Sequence, residues 1–173
     1  MFIAKNNDLI ILAKDTREEL EQALQFMVYD TIEETDVNYK LVKGSYITEE
    51  QEAQQEKERI QELKMTRSDF FDGTIMAWGV DEAALLPLIE SMVNSMPLDD
   101  RLKLKAMNNF KNALNFYRKH DLFNLLVNIP LQLSESVQVI ITDEHLDKFF
   151  DEVAKGNKDS AWQYLPQPMA INQ

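Results

Sequence analysis

At 173 residues the chain suits one compact domain, or a small module joined to a larger one, and its 45% hydrophobic content is enough for a packed core. The 30 acidic residues against 18 basic ones give a formal charge of -12, which repels phosphate backbones and argues against direct nucleic-acid binding. With no cysteine, a disulfide framework, a thiolate zinc site and a cysteine nucleophile are all excluded.

The first residues lack a basic leader followed by a long apolar stretch, and no apolar run approaches the ~20 residues that cross a bilayer. A protein without a membrane partner, at home in a reducing cytoplasm, is expected.

Phe2-Ile3-Ala4 and Leu9-Ile10-Ile11-Leu12 flank Asn6-Asn7-Asp8, residues that tolerate the left-handed conformation of a tight turn. A hairpin is predicted, with a frayed end before a helix as the alternative. Asp15-Thr16 can cap a helix in which Leu20, Ala23, Leu24 and Met27 recur at helical spacing, with Glu18 and Glu19 near its positive end. Tyr39, Leu41 and Tyr46 fall on strand positions on either side of Gly44. Residues 1–48 therefore read as a small β-β-α-β-β module whose helix covers one apolar face of the sheet.

From Glu49 to Lys64 the chain reads EEQEAQQEKERIQELK, strong helix formers with only Ala53, Ile60 and Leu63 apolar. Residues 49–65 are predicted to be a solvated helical connector; a coiled-coil seam through Ile60 and Leu63 would have too few apolar positions to specify it.

Residues 66–160 read as an all-helical bundle, which makes the fold class α+β overall. Thr66 or Ser68 caps a segment with Phe70, Phe71, Ile75, Met76 and Trp78, stopped by Gly79. Asp81 opens the next, carrying Leu85, Leu88, Ile89, Met92 and Val93, with Pro87 in its first turns or at a kink. Asp99 precedes a long helix in which Leu102, Met107, Phe110, Leu114 and Tyr117 share a face. Ser136 to Thr142 reads as extended because β-branched residues crowd it, and Thr142 then caps a helix with Leu146, Phe149, Phe150 and Val153 inward. Residues 161–173, with two prolines, are expected to form a flexible tail, while Trp162 and Tyr164 either fold back to clamp the bundle, the favoured alternative, or remain available for a partner.

Chemistry has no visible seat. His120 and His145 stand in no metal-ligand pattern, and Glu144-His145 with Asp147 reads as a solvated first helical turn. Gly44, Gly73, Gly79 and Gly156 are scattered, so no phosphate-cradling loop exists, and no cofactor is expected. Paired acids such as Asp69 and Asp72, or Asp151 and Glu152, fall on wet helix faces, and no serine sits in a nucleophile elbow. No enzymatic activity is expected. Five methionines from Met65 to Met107 are spaced as core filler, or could form an adaptable groove.

Charge is uneven. Met1 to Lys64 hold fifteen acids against eight bases, whereas the segment after Asp100 carries Arg101, Lys103, Lys105, Lys111, Arg118 and Lys119. This is either surface variation or a pattern that orients neighbouring subunits. The candidate partner-contact residues are Glu49, Glu50, Glu52, Glu56, Ile60, Leu63, Trp162 and Tyr164.

The opening, through AKDTREEL, IEET and GSYIT to EEQEAQQEKERI, resembles small proteins of the tail and baseplate gene region of phages and prophages of Gram-positive bacteria. The stretches MTRSDFFDGTIMAWGVD, NNFKNALNFYRKHDLF and ITDEHLDKFFDEVAKGN look like the second half of such proteins. The resemblance covers most of the chain in turn, cap and core residues, and transfers no catalytic signature. It implies a phage setting, in the cytoplasm of the bacterial host or in the virion, and a structural or assembly role. The expected partners are other tail proteins or a second copy of the chain. An alternative reading is an acidic inhibitor of a host nucleic-acid-binding protein, with carboxylates from Glu49 to Glu62 imitating phosphates.

Overall fold

The computed structural model describes residues 1–171 and divides into two compact units, Met1–Lys57 and the chain from Glu58 onward. The class is α+β, and the division falls inside the acidic helix, not at its ends.

In the first unit, β1 (Phe2–Asn6) and β2 (Leu9–Lys14) are antiparallel and joined by Asn7 and Asp8, both left-handed at φ 48° and 64°. That is the two-residue turn whose twist suits a hairpin, and asparagine and aspartate tolerate it best after glycine. Helix α1 (Arg17–Ala23) starts where the Thr16 side chain accepts a hydrogen bond from the Glu19 amide. It ends before the expected Met27, which is exposed. Strand β3 (Thr31–Glu34) then pairs with β1, giving the sheet order β2-β1-β3. A second hairpin, β4 (Tyr39–Val42) and β5 (Ser45–Thr48), turns through Lys43 and Gly44, again both at positive φ. The unit is thus β-β-α-β-β-β, one strand more than the sequence pattern gives. Ala4, Leu20 and Leu24 are buried together, with Phe2, Ile11, Leu12 and Ile32 against them. Each fully buried leucine is worth about 1.5–3 kcal/mol of apolar transfer. Helix α2 (Glu49–Gln61) follows and buries no residue.

The second unit is not the all-helical bundle that its periodicity suggests. Strand β6 (Lys64–Thr66) precedes α3 (Arg67–Trp78), α4 (Glu82–Ser95) and α5 (Asp100–Asn112). Strand β7 (Asn115–Tyr117) pairs with β6, and α6 (Asp121–Leu126) leads to the hairpin β8 (Pro130–Ser134) and β9 (Val137–Ile140). Then come α7 (Asp143–Ala154), the short α8 (Lys158–Ala161) and β10 (Met169–Ala170), which pairs with β9. Strands of two to five residues are too short to display a period of two against the surrounding helical signal.

The long helix expected through Tyr117 stops at Asn112. Leu114 is exposed, Phe116 is buried and Tyr117 is exposed, the alternation of a strand. Arg67 stabilises this helix end by donating to the carbonyls of Phe110 at 2.8 Å and Ala113 at 3.2 Å, groups that lack intrahelical partners. Its guanidinium also lies over the Phe71 and Phe116 rings.

The core of this unit is a cluster of phenylalanines: Phe70, Phe71, Phe110, Phe116, Phe123, Phe149 and Phe150. Phe110 and Phe116 stack at 4.5 Å, while Phe70 meets Phe71 and Phe116 edge-on. Gly73 lets α3 approach Phe149: a Cβ there would sit 2.5 Å from the ring.

The flexible tail expected over 161–173 is corrected as far as it is described. Ala161 and Leu165 are buried, the Trp78 indole donates to the Pro166 carbonyl at 2.8 Å, and the Ile171 amide donates to the Ser136 carbonyl. The prolines do not prevent this, because they sit beside the pairing residues of β10 and not on them. The part of that expectation concerning Asn172 and Gln173 lies outside the described residues.

Candidate functional site

The first unit presents four consecutive apolar residues, Phe26-Met27-Val28-Tyr29, between α1 and β3. Phe26 is 97% and Val28 80% exposed. A run of this kind on a surface opposes the usual apolar-inside patterning of a packed domain. It is held in place by main-chain and side-chain bonds. The Met27 amide donates to the Leu24 carbonyl, the Asn6 side chain donates to the Val28 carbonyl at 3.0 Å, and the Asp30 amide donates to the Lys5 carbonyl. Asp30 in turn accepts from the Asn7 amide at 2.7 Å, tying the segment to the β1–β2 turn, beyond which Leu9 is 71% exposed.

Beside this run, β3 is an end strand of its sheet. Met1 and Thr35 exchange both main-chain hydrogen bonds, so Thr35 faces β1 and, by the alternation of an antiparallel ladder, the Ile32 and Glu34 amides face away from it. Residues 30–36 hold four carboxylates and no base. Glu33 is paired with Lys5 at 2.7 Å, and among the described residues Glu34 and Asp36 have no ion-pair partner.

The candidate contact residues chosen from sequence scatter over both units. Glu49 and Glu52 share the ammonium of Lys40 at 3.4 and 3.2 Å, which raises the Lys40 pKa chiefly through the Glu52 hydrogen bond. Glu50 accepts from the Thr48 hydroxyl, and Glu56 is exposed farther along α2. Ile60 is half-buried, and Leu63 packs on the phenylalanine core, so neither forms a coiled-coil seam. Trp162 is half-buried, its indole donating to the Asp159 carbonyl at 3.0 Å, whereas Tyr164 is exposed.

Trp162 lines a cavity of about 280 Å³ with Asp69, Asp72, Gly73, Met76, Lys158 and Asp159. An internal cation already serves its innermost carboxylate: Lys158 donates to both Asp69 oxygens at 2.8 and 3.0 Å. Burial works to raise the Asp69 carboxyl, but the bonds from Lys158 and Thr66 outweigh it and hold the group below its ordinary range. Asp69 also closes the capping box of α3 with Thr66, a structural duty. Among the described residues no three histidine, aspartate or glutamate side chains are placed to hold a metal ion, and no helix is long and apolar enough to cross a membrane.

Phe26 and the free edge of β3 escape the sequence reading. The visible signal is a block of four apolar residues with neither helical nor strand spacing, followed by acids. Comparison with protein-family models, with characterised proteins and with solved structures finds no match to this chain.

Proposed function

We propose that this chain is a non-enzymatic structural or assembly component of a phage tail or baseplate, working through protein–protein contacts. The phage setting rests on the resemblance of its turn, cap and core residues to tail-region proteins. The contact role is carried by the exposed run Phe26–Tyr29, pinned by Asn6 and Asp30 in a fixed conformation. A rigid apolar strip loses little conformational entropy when it is covered, which favours its use as a docking element.

The inhibitor reading draws less support. Lys40 sits between Glu49 and Glu52, and Lys57 and Arg59 interrupt the stripe, so the helix is a poor mimic of evenly spaced phosphates.

The test is copurification. Tail assembly intermediates isolated from an induced lysogen carrying this gene with an affinity tag are expected to contain the protein, and Phe26→Ser with Val28→Ser to remove it from them. A wild-type chain that stays monomeric and retains no tail component would end this reading.

A further inference from the structure

We propose that β3 is the docking edge for an extended segment of another protein, one that alternates apolar residues with lysine or arginine and adds itself to the sheet as a fourth strand. The inference rests on the contact role above and specifies its partner and its geometry.

Three independent features of β3 converge. It ends the sheet β2-β1-β3, and its outward Ile32 and Glu34 amides have no backbone partner among the described residues. An unpaired row of this kind is the template for strand addition. Immediately before it in the chain stand Phe26 and Val28, both exposed and two residues apart, which lengthens the apolar surface continuous with this strand. Around it, Glu34 and Asp36 lack cationic partners and residues 30–36 carry no base, so the added strand is selected for positive charge.

The same charges argue against a second copy of this chain. Pairing β3 with β3 would set Glu33, Glu34 and Asp36 of two molecules along one seam, and like charges opposed across strands are destabilising.

The test uses the full chain, labelled with nitrogen-15, and two short synthetic peptides, one alternating lysine and valine and one alternating glutamate and valine. The lysine peptide is expected to bind saturably, to slow hydrogen exchange of the Ile32 and Glu34 amides, and to weaken as salt is raised. Glu34→Pro removes an outward donor without an inward bond and is expected to lower affinity by about tenfold or more. Glu34→Lys, which needs no new backbone geometry, is expected to weaken the lysine peptide and to improve the glutamate one.

Unchanged exchange at Ile32 and Glu34, equal binding of both peptides, or indifference to Glu34→Lys would overturn the proposal, as would self-association mapped to this edge. Copurification with tail proteins alongside unprotected β3 amides would remove strand addition alone. Peptide binding without copurification would remove the tail role and leave the edge chemistry standing.

Discussion

Arg118 is fully buried and donates through Nε to an Asp147 oxygen at 2.6 Å, while its Nη2 donates to Asp143. The two carboxylates differ in exposure, 29% for Asp147 and 67% for Asp143, so they differ in how far water can replace them. Removing one partner of a buried pair costs about 3–5 kcal/mol, because the remaining charge stays desolvated. Asp147→Ala is expected near the lower end of that range and Asp143→Ala well below it, measured by urea unfolding. Arg118→Met, which removes the charge and keeps the bulk, is expected to cost less than Asp147→Ala.

Gly73 sits within α3, where replacing glycine by alanine ordinarily gains about 1 kcal/mol of helix propensity. Here a Cβ would meet Phe149 at 2.5 Å, and overpacking of that kind costs about 1–3 kcal/mol. Overpacking is expected to win. Gly73→Ala should lower the melting temperature, and Phe149→Leu in the same chain should recover part of the loss.

His120 caps α6 through Nδ1, which accepts from the Leu122 amide. Burial lowers its pKa from the ordinary 6.5, against the smaller opposing pull of Asp121. The unfolded chain therefore takes up this proton before the folded one does. Its contribution to stability is complete above pH 6.5 and is lost as the pH falls toward the depressed value. His120→Asn keeps a capping acceptor and is expected to flatten the stability profile below pH 6.5, as followed by urea unfolding at a series of pH values.

Leu165 and the Trp78–Pro166 bond fasten the segment after α8. Leu165→Ala is expected to cost about 2–5 kcal/mol and Trp78→Phe to cost at least the ~1 kcal/mol of its hydrogen bond, both by thermal melting. A merely draped tail would leave Leu165→Ala without effect, since Trp78 also packs on the core while Leu165 is buried only if the segment is fastened.

Residues that act locally were readable from the chain alone. Thr16, Thr66, Asp81, Asp99 and Thr142 all cap helices, and Gly79 ends α3 in the left-handed conformation, because caps depend on neighbours within four residues. What escaped depends on distant partners. Lys64–Thr66 becomes a strand only because Asn115–Tyr117 lies beside it, and Met169–Ala170 only because β9 offers an edge. The exposed run Phe26–Tyr29 is hidden in the sequence for a related reason. Whether Phe26 is core or surface is decided by where α1 stops, and a seven-residue helix gives too few turns to fix its end by periodicity.

The pairing of β6 with β7 joins Lys64 to Tyr117 across three intervening helices. Closing so long a stretch of chain slows folding more than it weakens the folded state. Both tryptophans, Trp78 and Trp162, belong to this second unit, and the first carries none. Indole emission after a denaturant jump should thus follow the slower body alone, leaving the hairpin-built body to be timed by another chromophore.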